Sequence, residues 1–191
     1  MREMLVVRAD GFVDPCIPSR APKLPSGPDW VHEVKHDGYR LIVRRDGEAV
    51  RLFTRRGYDW TERYPAIASA AAKLKARSFT LDGEAVVCGE DGVAILEALH
   101  RHGTVRAAIL QAFDLLELNG EDLRPLPLGK RKVRLARLLA RVCRPGIELN
   151  AHTEEDGATV FRHASVMGLE GIVSKRLTAP IGPTLPATGS R

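Results

Sequence analysis

The pair Asp46-Gly47, set between the apolar runs Tyr39–Arg45 and Ala49–Thr54, is the strongest local constraint in this chain. Glycine tolerates the positive φ that a tight hairpin turn needs, so the two runs are expected to pair as antiparallel strands. Asn119-Gly120 repeats the signal after the buried strand candidate Ala108–Leu116. Asp82-Gly83-Glu84 separates two further short runs, Phe79–Leu81 and Ala85–Cys88, which read as strands on either side of it. Trp30–Lys35 opens this series and Ile172–Lys175 closes it. Hairpins next to one another in sequence, with helices between them and no internal repeats, predict an α+β fold of mainly antiparallel sheets flanked by helices.

The helices follow from spacing and caps. Tyr64–Arg77 is alanine-rich and starts near Pro65; Ala94–Arg101 is long enough for a short helix. Leu128–Val142 carries leucines and valine at helical spacing with arginines on the other face, which is read as solvated or as a phosphate contact. Thr153 and Asp156 cap a helix to about Met167, with Gly168 at its end. Pro15, Pro18, Pro22, Pro25 and Pro28 remove donors and fix φ, so residues 1–27 are expected to form an extended lead-in. A single domain is then expected over residues 28–178, and a disordered tail over 179–191.

The compartment is read from what the chain carries. Met1–Asp10 holds no apolar stretch suited to a signal peptide, and no later segment reads as a bilayer span. Cys16, Cys88 and Cys143 show no metal-ligand spacing, so a soluble protein of a reducing cytoplasm, with no membrane partner, is expected. The formal charge of +5 suits a polyanionic partner such as DNA or a nucleotide. The same balance is common in proteins that bind neither.

Chemistry concentrates in Lys35-His36-Asp37-Gly38-Tyr39-Arg40. A lysine at a strand end, followed by Asp-Gly, sits on a tight turn and can face a cleft; alone, the same string also describes a solvated surface hairpin. Four more segments matter: Thr54-Arg55-Arg56-Gly57-Tyr58-Asp59, Leu81-Asp82-Gly83-Glu84, Phe113-Asp114-Leu115-Leu116 and Leu169-Glu170-Gly171-Ile172-Val173-Ser174-Lys175. Singly, each has an ordinary reading, with Arg55 in a surface turn, Phe113 in the core, and Glu84 and Glu170 solvated.

In order and spacing, the five segments resemble the covalent nucleotidyltransferase superfamily of ATP-dependent DNA ligases and mRNA capping enzymes. Glu33–Arg40 and Leu169–Arg176 look like the ligase module of bacterial non-homologous end-joining ligases, and the likeness covers about residues 12–178. The resemblance implies an ATP-grasp-like nucleotidyltransferase fold. It implies that Lys35 attacks the α-phosphate of ATP, giving a lysyl-AMP phosphoramidate and pyrophosphate, for DNA strand joining in repair or recombination. An ordinary lysine has a pKa near 10.4, so desolvation or a neighbouring cation has to favour the free amine. By the same likeness, Glu33 reads the adenine edge, Phe113 stacks on adenine and Arg55 holds the ribose. Arg40 acts at the nucleotide, Glu84 lies near the ribose and a metal, Glu170 is a metal-site carboxylate, and Lys175 touches phosphate. Such oxygen ligands suit Mg²⁺ or Mn²⁺. Asp37 and Gly38 are expected to shape the turn. Nicked or broken duplex DNA and other end-joining proteins are the implied partners.

This sequence also departs from the family pattern. Relatives continue into a Trp-hydrophobic-Lys-x-Lys segment and an OB-type domain, neither of which follows here, so full nick sealing by this chain alone is not expected. Reverse-translating Pro180–Arg191 and inserting a base after the first codon gives Pro-Tyr-Arg-Ser-Asp-Pro-Pro-Gly-Asp-Trp-Ile-Lys, which resembles the missing segment. A single-base deletion in a longer gene is therefore the expectation. Ile95-Leu96-Glu97 replaces an Asp-Phe-Asp-like stretch, and Gln111 stands where an aromatic is common. Two other functions fit the same residues: an inactive nucleotide- or DNA-binding remnant, and a capping-type guanylyltransferase that takes GTP.

Overall fold

The computed structural model describes residues 12–19, 23–100, 103–140 and 146–182. Met1–Asp10, Pro22, Arg101, Val142, Cys143 and the tail from residue 183 lie outside the described residues.

The polypeptide forms two sheets with helices packed on them, the α+β arrangement expected. Strands β1 (Trp30–Val34), β8 (His152–Thr153) and β9 (Ile172–Arg176) make a small antiparallel sheet in the order β8-β1-β9. The larger sheet runs β3-β2-β4-β5-β6, from β2 (Tyr39–Asp46), β3 (Ala49–Thr54), β4 (Ser78–Val86), β5 (Ile109–Leu118) and β6 (Glu121–Asp122). Strand β7 (Ile147–Leu149) joins it parallel to β5. The Asp46-Gly47 turn forms as expected: Asp46 pairs with Ala49 and Gly47 adopts φ +60°. Asn119 and Gly120 both take positive φ and connect β5 to β6.

Asp82-Gly83-Glu84 does not divide two strands; β4 runs unbroken through it. Gly83 is there for close approach, since a Cβ on it would lie 2.8 Å from the Gln111 carbonyl and from Leu110. Beside it the register jumps, from Asp82 opposite Asp114 to Gly83 opposite Ala112. Phe113 is thus the extra residue of a β-bulge, a device that re-aims a side chain out of the ladder.

One face of the large sheet carries the main core, in which Leu41, Val43, Leu81 and Leu115 pack with Tyr64, Ile67 and Leu135. Helix α1 (Pro65–Ala72) is shorter than expected because Lys73 and Leu74 bond three residues back and tighten the chain out of the helix. Helix α2 (Leu96–Leu99) is a single turn. Asp156 caps α4 (Gly157–Val166) by accepting from the Thr159 N–H at 3.0 Å, and Gly168 follows at φ +71°.

Helix α3 (Leu128–Leu139) corrects the sequence reading of its charged face, because Arg131 and Lys132 are buried at 3% and 4% exposure. Residues 179–181, read from sequence as the start of a disordered tail, are held by backbone bonds. Ala179 and Leu177 offer carbonyls to the N–H groups of Leu128 and Gly129, and Ile181 donates to Arg124. Residues 177–181 therefore satisfy the open N-terminal donors of α3. Among the described residues no helix is long and apolar enough to cross a membrane.

Candidate active site

A cleft of about 500 Å³ opens between the two sheets. Glu33 enters it from β1, Lys35 from the loop just after that strand, Arg40 from β2, Glu84 from β4 and Phe113 from the β5 bulge. Glu170 and Lys175 complete the far wall from β9 and the loop before it. Seven of the eight site residues named from sequence thus converge. Arg55 does not line this cleft; it is exposed in the turn that closes when the Gly57 N–H bonds the Thr54 carbonyl.

The floor is a buried ion cluster. Glu33 is only 2% exposed, with Lys132 in contact with Oε1 and Lys175 donating to Oε2 at 2.6 Å. Burial pushes the Lys175 ammonium down, and Glu33 opposes that shift without cancelling it. Lys132 Nζ also lies 3.4 Å from the Phe113 carbonyl. The Phe113 ring meets two cations, Lys175 Nζ at 4.2 Å and Arg40 Cζ at 4.5 Å from its centroid, contacts drawn by the negative ring face. Beneath the bulge Asp114 takes a two-pronged bond from Arg131 at 2.8 and 2.9 Å, which anchors α3 to β5.

On the opposite wall, Arg40 grips Asp82 through two bonds of 2.5 and 2.8 Å and donates to the Cys16 carbonyl. Arg40 and Glu84 are register partners across β2 and β4. Burial raises the Glu84 carboxyl to about 7, against the pull of Arg40 and Lys35 and aided by Asp82 and Asp37. Burial likewise raises Asp82, with Arg40 opposing.

Lys35 stands just past β1. Its N–H bonds the Gly171 carbonyl at 3.0 Å, and its ammonium ion-pairs with Glu170, both side chains 42% exposed. The chain can turn here because Gly38 lies against β4: a Cβ on it would sit 2.2 Å from the Ala85 carbonyl. His36 and Asn150 also line the cleft. Gln111, noted as a departure, is buried and donates to Glu148 at 2.9 Å.

Asp82, Asp114, Arg131, Lys132 and Asn150 were not singled out from sequence. Two of them were signalled. Leu128, Arg131, Lys132, Leu135 and Leu139 form the buried face of α3 at helical spacing, so Arg131 and Lys132 sit on the apolar stripe. Charges on such a stripe require buried partners. Asp82 becomes a same-face neighbour of Glu84 once β4 is continuous.

A cleft that gathers an aromatic ring, clustered cations, a lysine amine and carboxylates has the chemistry to hold a nucleotide. The family profile described as "ATP dependent DNA ligase domain" matches residues 18–183. The multifunctional non-homologous end joining protein LigD of Pseudomonas aeruginosa is 38% identical over 169 residues, 87% of this chain and 20% of that protein. The crystallised ligase domain of Mycobacterium tuberculosis LigD superposes with a TM-score of 0.69 at 33% identity, covering 81% of this chain and 51% of that one. A mycobacterial DNA ligase D solved with ATP and MES gives 0.67 at 31% identity, covering 84% and 55%. The chain therefore spans a fifth of the Pseudomonas relative's length and about half of each crystallised ligase chain.

Proposed function

The chain belongs to the ATP-dependent DNA ligase domain family, and from that premise we propose that it carries out the adenylation step of DNA strand joining, with Lys35 as the nucleophile. The observation that carries this reading is the convergence on one cleft of Lys35, the Phe113 ring and the cations Arg40 and Lys175. In the reaction Lys35 Nζ forms a bond to the α-phosphorus of ATP. The bond from that phosphorus to the bridging oxygen breaks, and pyrophosphate leaves with the electron pair. The amine must shed its protons, and Glu170, in contact with Nζ, stands where one departs. Phosphoryl transfer of this kind depends chiefly on positioning and on charge neutralisation.

Each wall has a part in holding ATP. Phe113 offers the stacking face for adenine, and Glu33 the acceptor for its amino edge. Arg40, held by two bonds to Asp82, is the fixed cation of this wall for the nucleotide. Lys175 supplies the cation for a phosphate oxygen, giving up its contact with Glu33. Arg55, outside the cleft, is proposed to reach the ribose from the β3 turn.

A divalent cation fits the donors present. Glu84 and Glu170, which both line the cleft, would offer it carboxylate oxygens, with the nucleotide's phosphates and water as further ligands. That division of ligands is usual for Mg²⁺. When bound, the ion supplies charge neutralisation at the phosphates, and its charge favours the ionised form of Glu84. Transfer of AMP onward to nicked or broken duplex DNA, in end joining with partner proteins, follows as the further proposal.

The test is to incubate the protein with ATP or GTP labelled at the α-phosphate, with Mg²⁺ or Mn²⁺, and resolve it on a denaturing gel. Label from ATP that is absent in Lys35→Ala supports the reading. Label only from GTP points to a guanylyltransferase, and no label in a folded sample to a nucleotide-binding remnant.

A further inference from the structure

The stretch that bears Lys35 belongs to no strand or helix, so its backbone must be held by contacts from outside. The Lys35 N–H is bonded to Gly171, and Gly38 abuts β4. Two further hydrogen bonds come from one side chain. Asn150 Nδ2 donates to the carbonyl of Val34, the residue before Lys35, at 3.3 Å. Asn150 Oδ1 lies 3.3 Å from Nε2 of His36, the residue after it. One orientation of the amide serves both: the NH₂ must face the Val34 carbonyl, so the oxygen faces His36, whose Nε2 then carries the proton and donates. Burial lowers the His36 pKa, against the raising influence of Asn150, Glu33 and Glu148, which suits this neutral form.

Asn150 is itself fixed. It is 6% exposed, and its backbone N–H bonds the Ala112 carbonyl on β5 at 2.8 Å, next to the bulge that aims Phe113. The side chain therefore ties both neighbours of Lys35 to the strand that presents the stacking ring.

We infer that Asn150 is a positioning residue for the Lys35 amine, setting its place relative to the Phe113 wall. The inference rests on Lys35 being the nucleophile. Both bonds are long, so their work is geometric, and misplacing a reacting group by about 1 Å costs on the order of 100-fold in rate.

The experiment measures initial rates of label incorporation from α-labelled ATP and Mg²⁺ across ATP concentrations, for the full chain, Asn150→Ala, His36→Ala and His36→Gln. Asn150→Ala is expected to lower the maximal rate about 10- to 100-fold while half-saturating ATP moves by less than about twofold. His36→Gln, which keeps a donor for Oδ1, is expected to retain a higher maximal rate than His36→Ala. A maximal rate in Asn150→Ala within about twofold of the unaltered chain, or a loss expressed only as weaker half-saturation, overturns the inference alone. Equal rates in the two His36 variants overturn the proposed link through its ring. Absence of label from the unaltered chain overturns the reading of Lys35, and the inference with it.

Discussion

Replacing Arg131 with Met tests whether α3 is held by a buried ion pair or lies on the sheet by its leucines alone. Arg131 is 3% exposed and Asp114 7%, and two bonds of 2.8 and 2.9 Å join them. Solvent screening is therefore slight, and the substitution leaves the Asp114 carboxylate buried with its guanidinium partner gone. Breaking a buried pair from one side costs about 3–5 kcal/mol. The same change removes the Arg131 bonds to the carbonyls of Leu126 and Ala179, so the strap over the start of α3 loosens as well. For a chain of this size each kcal/mol lowers the melting temperature by about 2–4 °C, which gives a fall of about 6–20 °C. Thermal unfolding followed by circular dichroism measures it, with Arg137→Met on the exposed side of the same helix as control. The double variant Asp114→Leu/Arg131→Met removes both charges and should recover more than half of the loss. Full recovery is not expected, because Asp114 Oδ1 also accepts from the Leu115 N–H. A fall below about 2 °C for Arg131→Met, or one equal to that of Arg137→Met, refutes the reasoning.

Glu84, raised to about 7 in the fold, binds a proton more tightly folded than unfolded. Its contribution to stability is present below the unfolded carboxyl value and is lost as pH rises through about 7. Glu84→Gln should therefore melt above the unaltered chain at pH ~8 and close to it at pH ~5, a contrast that reports the sign directly. Gly38→Ala drives a Cβ into the Ala85 carbonyl, and urea denaturation should register a loss of about 1–3 kcal/mol or more. Asp156→Ala removes the cap of α4 and should cost about 1 kcal/mol in the same assay, leaving the cleft chemistry in place.

Much of this architecture was legible in the sequence, and the exceptions have physical causes. Asp46-Gly47 and Asn119-Gly120 gave hairpins because glycine takes the required positive φ. Asp82-Gly83 has the same composition and forms no turn, since its glycine admits β5 instead of bending the chain. A dipeptide alone does not distinguish these uses; the neighbouring strand decides. The candidate site was read from its ordered segments, and the fold brings Glu33, Lys35, Arg40, Glu84, Phe113, Glu170 and Lys175 to one cleft. What escaped was the support beneath it. Lys132 and Asp114 gain meaning only from partners 99 and 17 residues away, and no local pattern records such pairings. Strands β7 and β8, of three and two residues, are too short to show an alternation. The tail was read from its prolines and glycines, yet residues 179–181 are held because the start of α3 has open donors to fill.

The central claim is that Lys35 becomes covalently bound to AMP. Peptide mapping by mass spectrometry after incubation with ATP and Mg²⁺ addresses it directly, with pyrophosphate release followed in the same sample. The predicted result is an AMP adduct confined to the peptide carrying Lys35, labile in acid as a phosphoramidate is, with one pyrophosphate released for each adduct. An adduct on Lys132 or Lys175, or pyrophosphate released with no adduct, would contradict the account.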